Sequence, residues 1–473
     1  PFSTSIRQKT KGILSTWISS FGSPYISRLV YILGTWCNPK KEKGRSAVRR
    51  VKSGVSLLVV VLLLSLFSVV ALAEDVHITI LNSKGEIQAQ LEEMAAYYSS
   101  ITPGVTVEVI AAPVGQSPFE RAMALYASGN APALTMLDPG DVLLFKDRAA
   151  ALNNEKWVAD VIDGSLDLVT AEDGRILGFP VTVEGYGFIY NKPVVEAALG
   201  GTLDPETINT RDALQKLFEA IEASGKGALV ISPEDWSLGA HFFSLAYSTQ
   251  SSDFADIKAF QEAMKRGEAN LAANAQVNGL LDTFDLMKKF NLDKADPLAS
   301  TYDRGSQLIG EGEVGIWFQG NWAWPQVKEF DSAGGQFGFL PVPISNNPDD
   351  LGNTQIPVGV TKYFILDGEQ NSPAQQQAAK DFLNWLVYDP EGQKRLVVDA
   401  SIIPAFKNIT ITPEDPLAAS IMEYVQKGRT ITFVLNLPAD HWAEVGASMQ
   451  KYLADYADRD TLLAEVEAYW RGL

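Results

Sequence analysis

Residues 310–326 read G-E-G-E-V-G-I-W-F-Q-G-N-W-A-W-P-Q, a stretch that sets aromatic rings and an amide beside closely spaced glycines. An apolar strand over 314–318 meets a Gly320–Asn321 break. Trp322 and Trp324 then open a helix whose first turn suits Pro325. Glycine lets backbone come close to a ligand. The Asn321 amide offers hydrogen bonds beside the flat faces of Trp317, Trp322 and Trp324. Such a mixture fits a sugar, whose C–H face stacks on rings while its hydroxyls pair with amides and carboxylates. Trp317, inside the strand, reads as core; Trp322, just past the break, reads as a stacking ring.

Other chemistries find less support. The three histidines, His77, His241 and His441, fall in no H-x-x-x-H arrangement, and no G-x-S-x-G is present. Neither a metal, a cofactor nor a Ser-His-Asp centre is expected. A secreted glycoside hydrolase needs two carboxyl groups about 5 to 9 Å apart. Asp and Glu are abundant enough to supply such a pair, but no motif singles one out, so the reading is of a binding protein and not an enzyme.

The compartment follows from residues 49–73. Arg49, Arg50 and Lys52 precede a small and apolar run over 55–70, and Ala71-Leu72-Ala73 supplies the small residues of a signal-peptidase site. Cleavage before Glu74 fits this pattern better than a retained anchor. Residues 1–48 form a basic, aromatic extension ahead of the signal, as an over-extended reading frame would produce. Cys37, the sole cysteine, lies in that extension, so no lipid-anchoring Cys, disulfide framework or thiolate site follows the signal. A periplasmic or extracellular location is expected. Of 39 Lys+Arg, 11 precede Glu74, and of 57 Asp+Glu only one does; the remainder carries 28 basic and 56 acidic residues, a net charge of −28. So acidic a surface repels nucleic acid and anionic lipid.

About 400 residues are more than one core accommodates and suit two lobes. Val76, Ile78 and Ile80 alternate as a strand, Leu91, Met94, Ala95 and Tyr98 recur at helical spacing, and Val105, Val107 and Val109 alternate again. Strand, helix, strand at this spacing is a parallel βαβ unit, continued to about residue 200. Shorter strands are expected over 131–137, 176–180, 187–191 and 337–342. Helices are expected after Thr210, through 250–310, and over 374–388, 442–456 and 461–470. Residues 343–353 read as a Pro/Asn/Asp-rich loop. The fold class is α/β, with open, mainly parallel sheets flanked by helices.

The 310–326 segment resembles the G-x-x-A-M-x-x-x-G-x-W segment of the family 1 extracellular solute-binding proteins, sugar receptors of ABC importers, with Trp317 where the family often has Met. Four further segments match in order. Residues 124–132 resemble the S-G-x-x-P-D segment, with Ala133 in place of Asp. Gly178-Phe179-Pro180 with Tyr190-Asn191-Lys192 resembles G-x-P…Y-N-K. Residues 379–386 resemble the A-x-x-F-L-x-x-L helix, and Ile403-Pro404-Ala405 the I-P-A turn. The resemblance covers nearly all of 74–473. It implies a two-lobed fold of the periplasmic-binding type, with 74–183 and 334–388 in the first lobe, 184–333 and 389–473 in the second, and the ligand in the cleft between them.

It also implies roles. Glu184 stands where maltose-type receptors place a hinge carboxylate that bonds sugar hydroxyls, and such a group accepts two or more bonds with charge-assisted strength. Asp138 and Asp141 follow the strand end Thr135-Met136-Leu137, where polar sugar contacts collect, though one of them could serve only as a helix cap. Asn82, with Ser83 and Lys84, holds the equivalent first-loop position. Trp442 matches a second aromatic platform; Trp236 could be a third, and Tyr186 and Tyr247 could add a ring or hydroxyl. The implied partners are a di- or oligosaccharide and a membrane permease, the protein acting as a monomer. Related receptors carry polyamines or ferric ion. A ferric site wants paired tyrosines, and Tyr97-Tyr98 sits on a helix among apolar neighbours, whereas carboxylates flanked by aromatics keep polyamine open as the alternative cargo.

Overall fold

The computed structural model describes residues 75–112 and 117–473; the signal and the extension ahead of it lie outside the described residues. Among the described residues nine strands form an open sheet: β1 (Val76–Asn82), β2 (Val105–Ala111), β3 (Leu134–Leu137), β4 (Phe179–Asn191), β5 (Gly227–Val230), β6 (Val314–Gly320), β7 (Phe337–Leu340), β8 (Ile356–Leu366) and β9 (Thr430–Thr432). The order is β2-β1-β3-β8-β4-β6-β5, with β7 also on β4 and β9 on β8. The βαβ unit read from the first alternating residues is present: β1 and β2 pair in parallel from Val76 opposite Val105, joined by the helix Gln88–Ile101, which buries Leu91, Met94, Ala95 and Tyr98.

Pairing is parallel at the two ends of the sheet (β1 with β2 and β3, β5 with β6) and antiparallel in its middle (β8 with β3 and β4, β4 with β6 and β7). The antiparallel middle comes from two long strands. β4 pairs β8 over Phe179 to Gly185, then β6 from Tyr186 onward. Its ends serve different cores: Phe179 packs with Ile78, Leu91, Phe382 and Phe406, and Phe188 with Phe218, Phe284, Phe318 and Tyr452. Nine residues of strand span about 30 Å, so β4 bridges the two lobes of the molecule. β8 bridges them as well, pairing β9 at Ile356 and β3 at Leu366. The strands expected over 176–180 and 187–191 are thus one continuous β4. No strand was expected at β8, where Pro357 and Gly359 interrupt the alternation.

Local rules hold in the helices. Thr210 caps Arg211–Ala223 by accepting from the Ala213 N–H, and the helix turns Leu214, Leu217, Phe218 and Ile221 inward. Ser372 and Gln375 form a capping box at the start of Pro373–Tyr388. Two packing details differ from the division implied by the resemblance. β7 pairs the second half of β4 on the edge opposite β6, and Leu396, Val397, Ile402, Phe406 and Ile409 pack into the core of β1 and β2. No helix among the described residues is long and apolar enough to cross a membrane.

Candidate functional site

The loop after β1 is folded by Asn82. Its side-chain amide donates to the Lys84 carbonyl (2.8 Å) and to Gln88 Oε1 (2.9 Å), and its Oδ1 accepts the Lys84 N–H (2.9 Å). Both amide N–H groups of Asn82 and its Oδ1 bond within this turn and the helix start after it, which projects Lys84. The Lys84 ammonium lies 2.5 Å from Glu184 Oε1 on β4 and 2.5 Å from Glu86 Oε1. Glu184 Oε2 accepts the Thr361 hydroxyl from β8. Lys84 and Glu184 are each only 5% exposed. Burial opposes the Lys84 charge, but Glu184 and then Glu86 outweigh it and hold its pKa above the usual lysine range. A buried charge of either sign is tolerated here because it is paired and hydrogen-bonded.

The wall facing this ionic floor is aromatic. Asn321, directly after β6, accepts the Gly185 N–H at 3.0 Å and so fixes the end of β6 one residue from Glu184. Trp322 folds back over Gly320, where a Cβ would come within 2.1 Å of its six-membered ring; only glycine permits that pose. Its indole N–H donates to Gln319 Oε1 (3.2 Å), and the ring stacks on His241 with centroids 4.7 Å apart and planes 33° apart. Trp236 meets His241 edge-on (5.6 Å) and Tyr302 behind it (5.5 Å). Burial lowers the His241 pKa to about 3, so the imidazole stays neutral and acts as a flat ring.

Lys84, Glu86, Thr182, Glu184, Asn321, Trp322 and Ser401 line one small cavity of about 10 Å³, the space of roughly one water. Ser401 stands in the left-handed region (φ 54°), unusual for a residue with a side chain, on the cavity's edge.

Of the residues singled out in the sequence, Glu184, Asn321 and Trp322 meet here. Trp236 and Tyr186 form a second row, Tyr186 fully buried between His241 (5.3 Å) and Phe433 (4.8 Å). Asn82 shapes the loop and is itself buried. Asp138 and Asp141 do not line the cavity. Asp138 pairs with Lys362 at 2.5 Å and leaves the helix start beside it without a side-chain cap. Asp141 is 6% exposed; its Oδ1 has no hydrogen-bond partner among the described residues, and burial, reinforced by Asp138 and opposed by Lys362, raises its pKa to about 7. Trp442 is part-buried on the helix His441–Leu453 and does not line the cavity. Tyr247 is fully buried, its hydroxyl bonded to His441 Nε2 (2.9 Å) and Trp470 Nε1 (3.0 Å), which places it in the core.

The sequence reading had the Lys84 loop but not its ion pairs, and it missed Glu86, Thr361, Lys362 and His241. Lys84 and Glu86 flank a glycine directly after the first strand, a spacing that would have flagged them. His241 carries no such signal, because only the fold brings it under Trp322.

Comparison with solved structures gives the same architecture. RafE in complex with raffinose superposes with a TM-score of 0.69 at 17% identity, over 84% of this chain and 99% of that one. A chitin oligosaccharide binding protein gives 0.68 at 19%, over 84% and 98%. Maltose-bound MalE3 of T. maritima gives 0.66 at 18%, over 84% and 99%. At such identities these likenesses speak to fold. Residues 93–420 match the family model for bacterial extracellular solute-binding proteins, well over half of the sequence, and the chain belongs to that family.

Proposed function

We propose that this protein is secreted through the signal at 49–73, captures a di- or oligosaccharide between its lobes, and delivers it to the permease of an ABC importer without chemical change. The observation that carries the reading is the pairing of Trp322, a stacking face, with Glu184 and Asn321, polar groups fixed by their own neighbours, on one cavity. Preorganised polar groups beside an aromatic face suit a polyhydroxylated ligand. The raffinose bound to RafE, the maltose bound to MalE3 and the chitin oligosaccharides for which the third neighbour is named agree with it. In this reading the lobes exchange chain within β4, within β8 and between Ile409 and Pro416, and rotate apart about these crossings to admit cargo.

Polyamine, the other cargo considered, loses support because the Lys84 ammonium already occupies the space between Glu184 and Glu86, where a ligand amine would go. The same ion pairs argue against a hydrolase, since two carboxylates sharing a cation are not set up as a protonated acid and its partner.

A thermal-shift panel of malto-, xylo-, galacto- and chito-oligosaccharides, raffinose and spermidine tests the proposal, with product analysis on the same samples. Stabilisation at a hundredfold excess over Kd is about 2.7 kcal/mol. A shift with one glycan class, recovered intact, is expected. A shift with spermidine alone moves the cargo to polyamines, and a cleaved glycan overturns the non-enzymatic reading.

A further inference from the structure

A second cavity lies away from the cleft, where the end of β4, the loop before the helix Arg211–Ala223, β7 and the helix Pro416–Gln426 meet. Its volume is about 190 Å³, against about 10 Å³ for the cavity at Trp322 and Glu184. That is far more than one ordered water needs, and of the scale of a single sugar ring.

Its walls are fixed and aromatic. Tyr424 donates its hydroxyl to the Phe339 carbonyl (3.0 Å), and Ser420 Oγ accepts the Phe339 N–H (3.1 Å), tying the helix to β7. Tyr190 packs flat against Gly338, where a Cβ would stand 2.5 Å from its hydroxyl oxygen. Four of the charges on the rim are spent on one another: Glu206 pairs with Lys427 (3.0 Å) and Arg429 (3.0 Å), and Lys427 also with Glu423 (2.7 Å), while Asp204 accepts the Glu206 N–H (3.1 Å) as the cap of its turn. A guest seeking the Glu206, Glu423, Lys427 or Arg429 charge would have to break one of these pairs.

Three neutral groups are uncommitted. The Tyr190 hydroxyl, the Asn209 side-chain amide and the Thr354 hydroxyl all border the cavity and form no hydrogen bond among the described residues. Burial, with Glu423 and Glu196 adding to it, pushes the Tyr190 pKa up to about 12, so the hydroxyl remains a donor at neutral pH. Concave aromatic surface with a few unpaired neutral donors and acceptors is the composition of a small-molecule site. We propose that this cavity is a second binding site, distinct from the cleft, for one neutral polyhydroxylated ring, a monosaccharide or cyclic polyol.

Saturation-transfer NMR on the purified protein tests this with D-glucose and myo-inositol as probes and glycine betaine as the charged control. Transfer to ring protons of at least one probe is expected, unchanged in Trp322→Ala. Tyr190→Phe and Asn209→Ala should each weaken apparent affinity about fivefold, the worth of one net hydrogen bond, with thermal melts showing both variants folded. No transfer to either neutral probe, transfer lost in Trp322→Ala, or transfer that ignores both Tyr190→Phe and Asn209→Ala would overturn the proposal, as would transfer to glycine betaine alone. The outcome is independent of cargo in the cleft, because Trp322→Ala removes only that site.

Discussion

Lys84→Met is the sharpest test of the ionic floor beneath the cleft. Methionine keeps the apolar stem and roughly the volume but removes the ammonium. Glu184, 5% exposed, then retains Thr361 as its only partner among the described residues and is left as a buried, uncompensated carboxylate. Breaking a buried pair by deleting one member costs about 3–5 kcal/mol. At about 2.1 cal/mol/K of unfolding entropy per residue, roughly 400 residues give ~0.8 kcal/mol/K, so the melting temperature should fall by about 4–6 °C. That range is an upper bound, because opening of the lobes admits water to Glu184. The assay is calorimetry from pH 7.5 to 4.5, with Glu184→Gln and the double variant completing a cycle. Protonation relieves a lone carboxylate of its need for a cation, so the gap between Lys84→Met and wild type should narrow as pH falls, and the double variant should recover part of the loss. A melting temperature within 1 °C of wild type at pH 7.5, or a gap that widens on acidification, would refute the reasoning.

Three further outcomes follow from the same geometry. Asp141 has a folded pKa near 7 against 3.8 unperturbed, so the fold carries an ionisation penalty that is absent below about pH 4, grows to about pH 7 and is full above it; Asp141→Asn should therefore stabilise at pH 8, by at most about 4 kcal/mol, and change little at pH 4, as urea titrations at the two pH values would show. Gly320→Ala places a Cβ in the Trp322 ring and should displace it, weakening glycan binding at least about tenfold in calorimetric titration while circular dichroism stays that of the wild type. Tyr247→Phe strands His441 Nε2 and Trp470 Nε1 in the core, a cost of about 1–3 kcal/mol in denaturant stability, with glycan affinity unchanged.

What could be read from the sequence was what single elements state for themselves. Thr210, with apolar residues at helical spacing behind it, announced its helix, and Val76 to Ile80 announced the first strand, because capping and alternation are local physics. The family was legible in five ordered segments, and Trp322 in the Gly-Asn break before it. The crossing strand β8 was not, because Pro357 and Gly359 break its pattern and both its faces meet protein. Depth was equally invisible: Tyr186 and Tyr247 are as suited to a sugar as Trp322 by residue type, and only packing seals them among Phe433, His441 and Trp470. His241 and Lys84 became functional candidates through partners 81 and 100 residues away, His241 stacking on Trp322 and Lys84 bonding Glu184.

The central claim is that a glycan is held in the cleft against Trp322 and released unaltered. The most direct test is calorimetric titration of the glycan class that stabilises the wild type into both wild type and Trp322→Ala, with the sugar analysed afterwards. The account predicts saturable binding to the wild type, affinity at least about tenfold weaker in the variant, a difference of ~1.4 kcal/mol or more, and intact sugar in both cells. Equal affinity in the two proteins, or hydrolysed sugar, would contradict it.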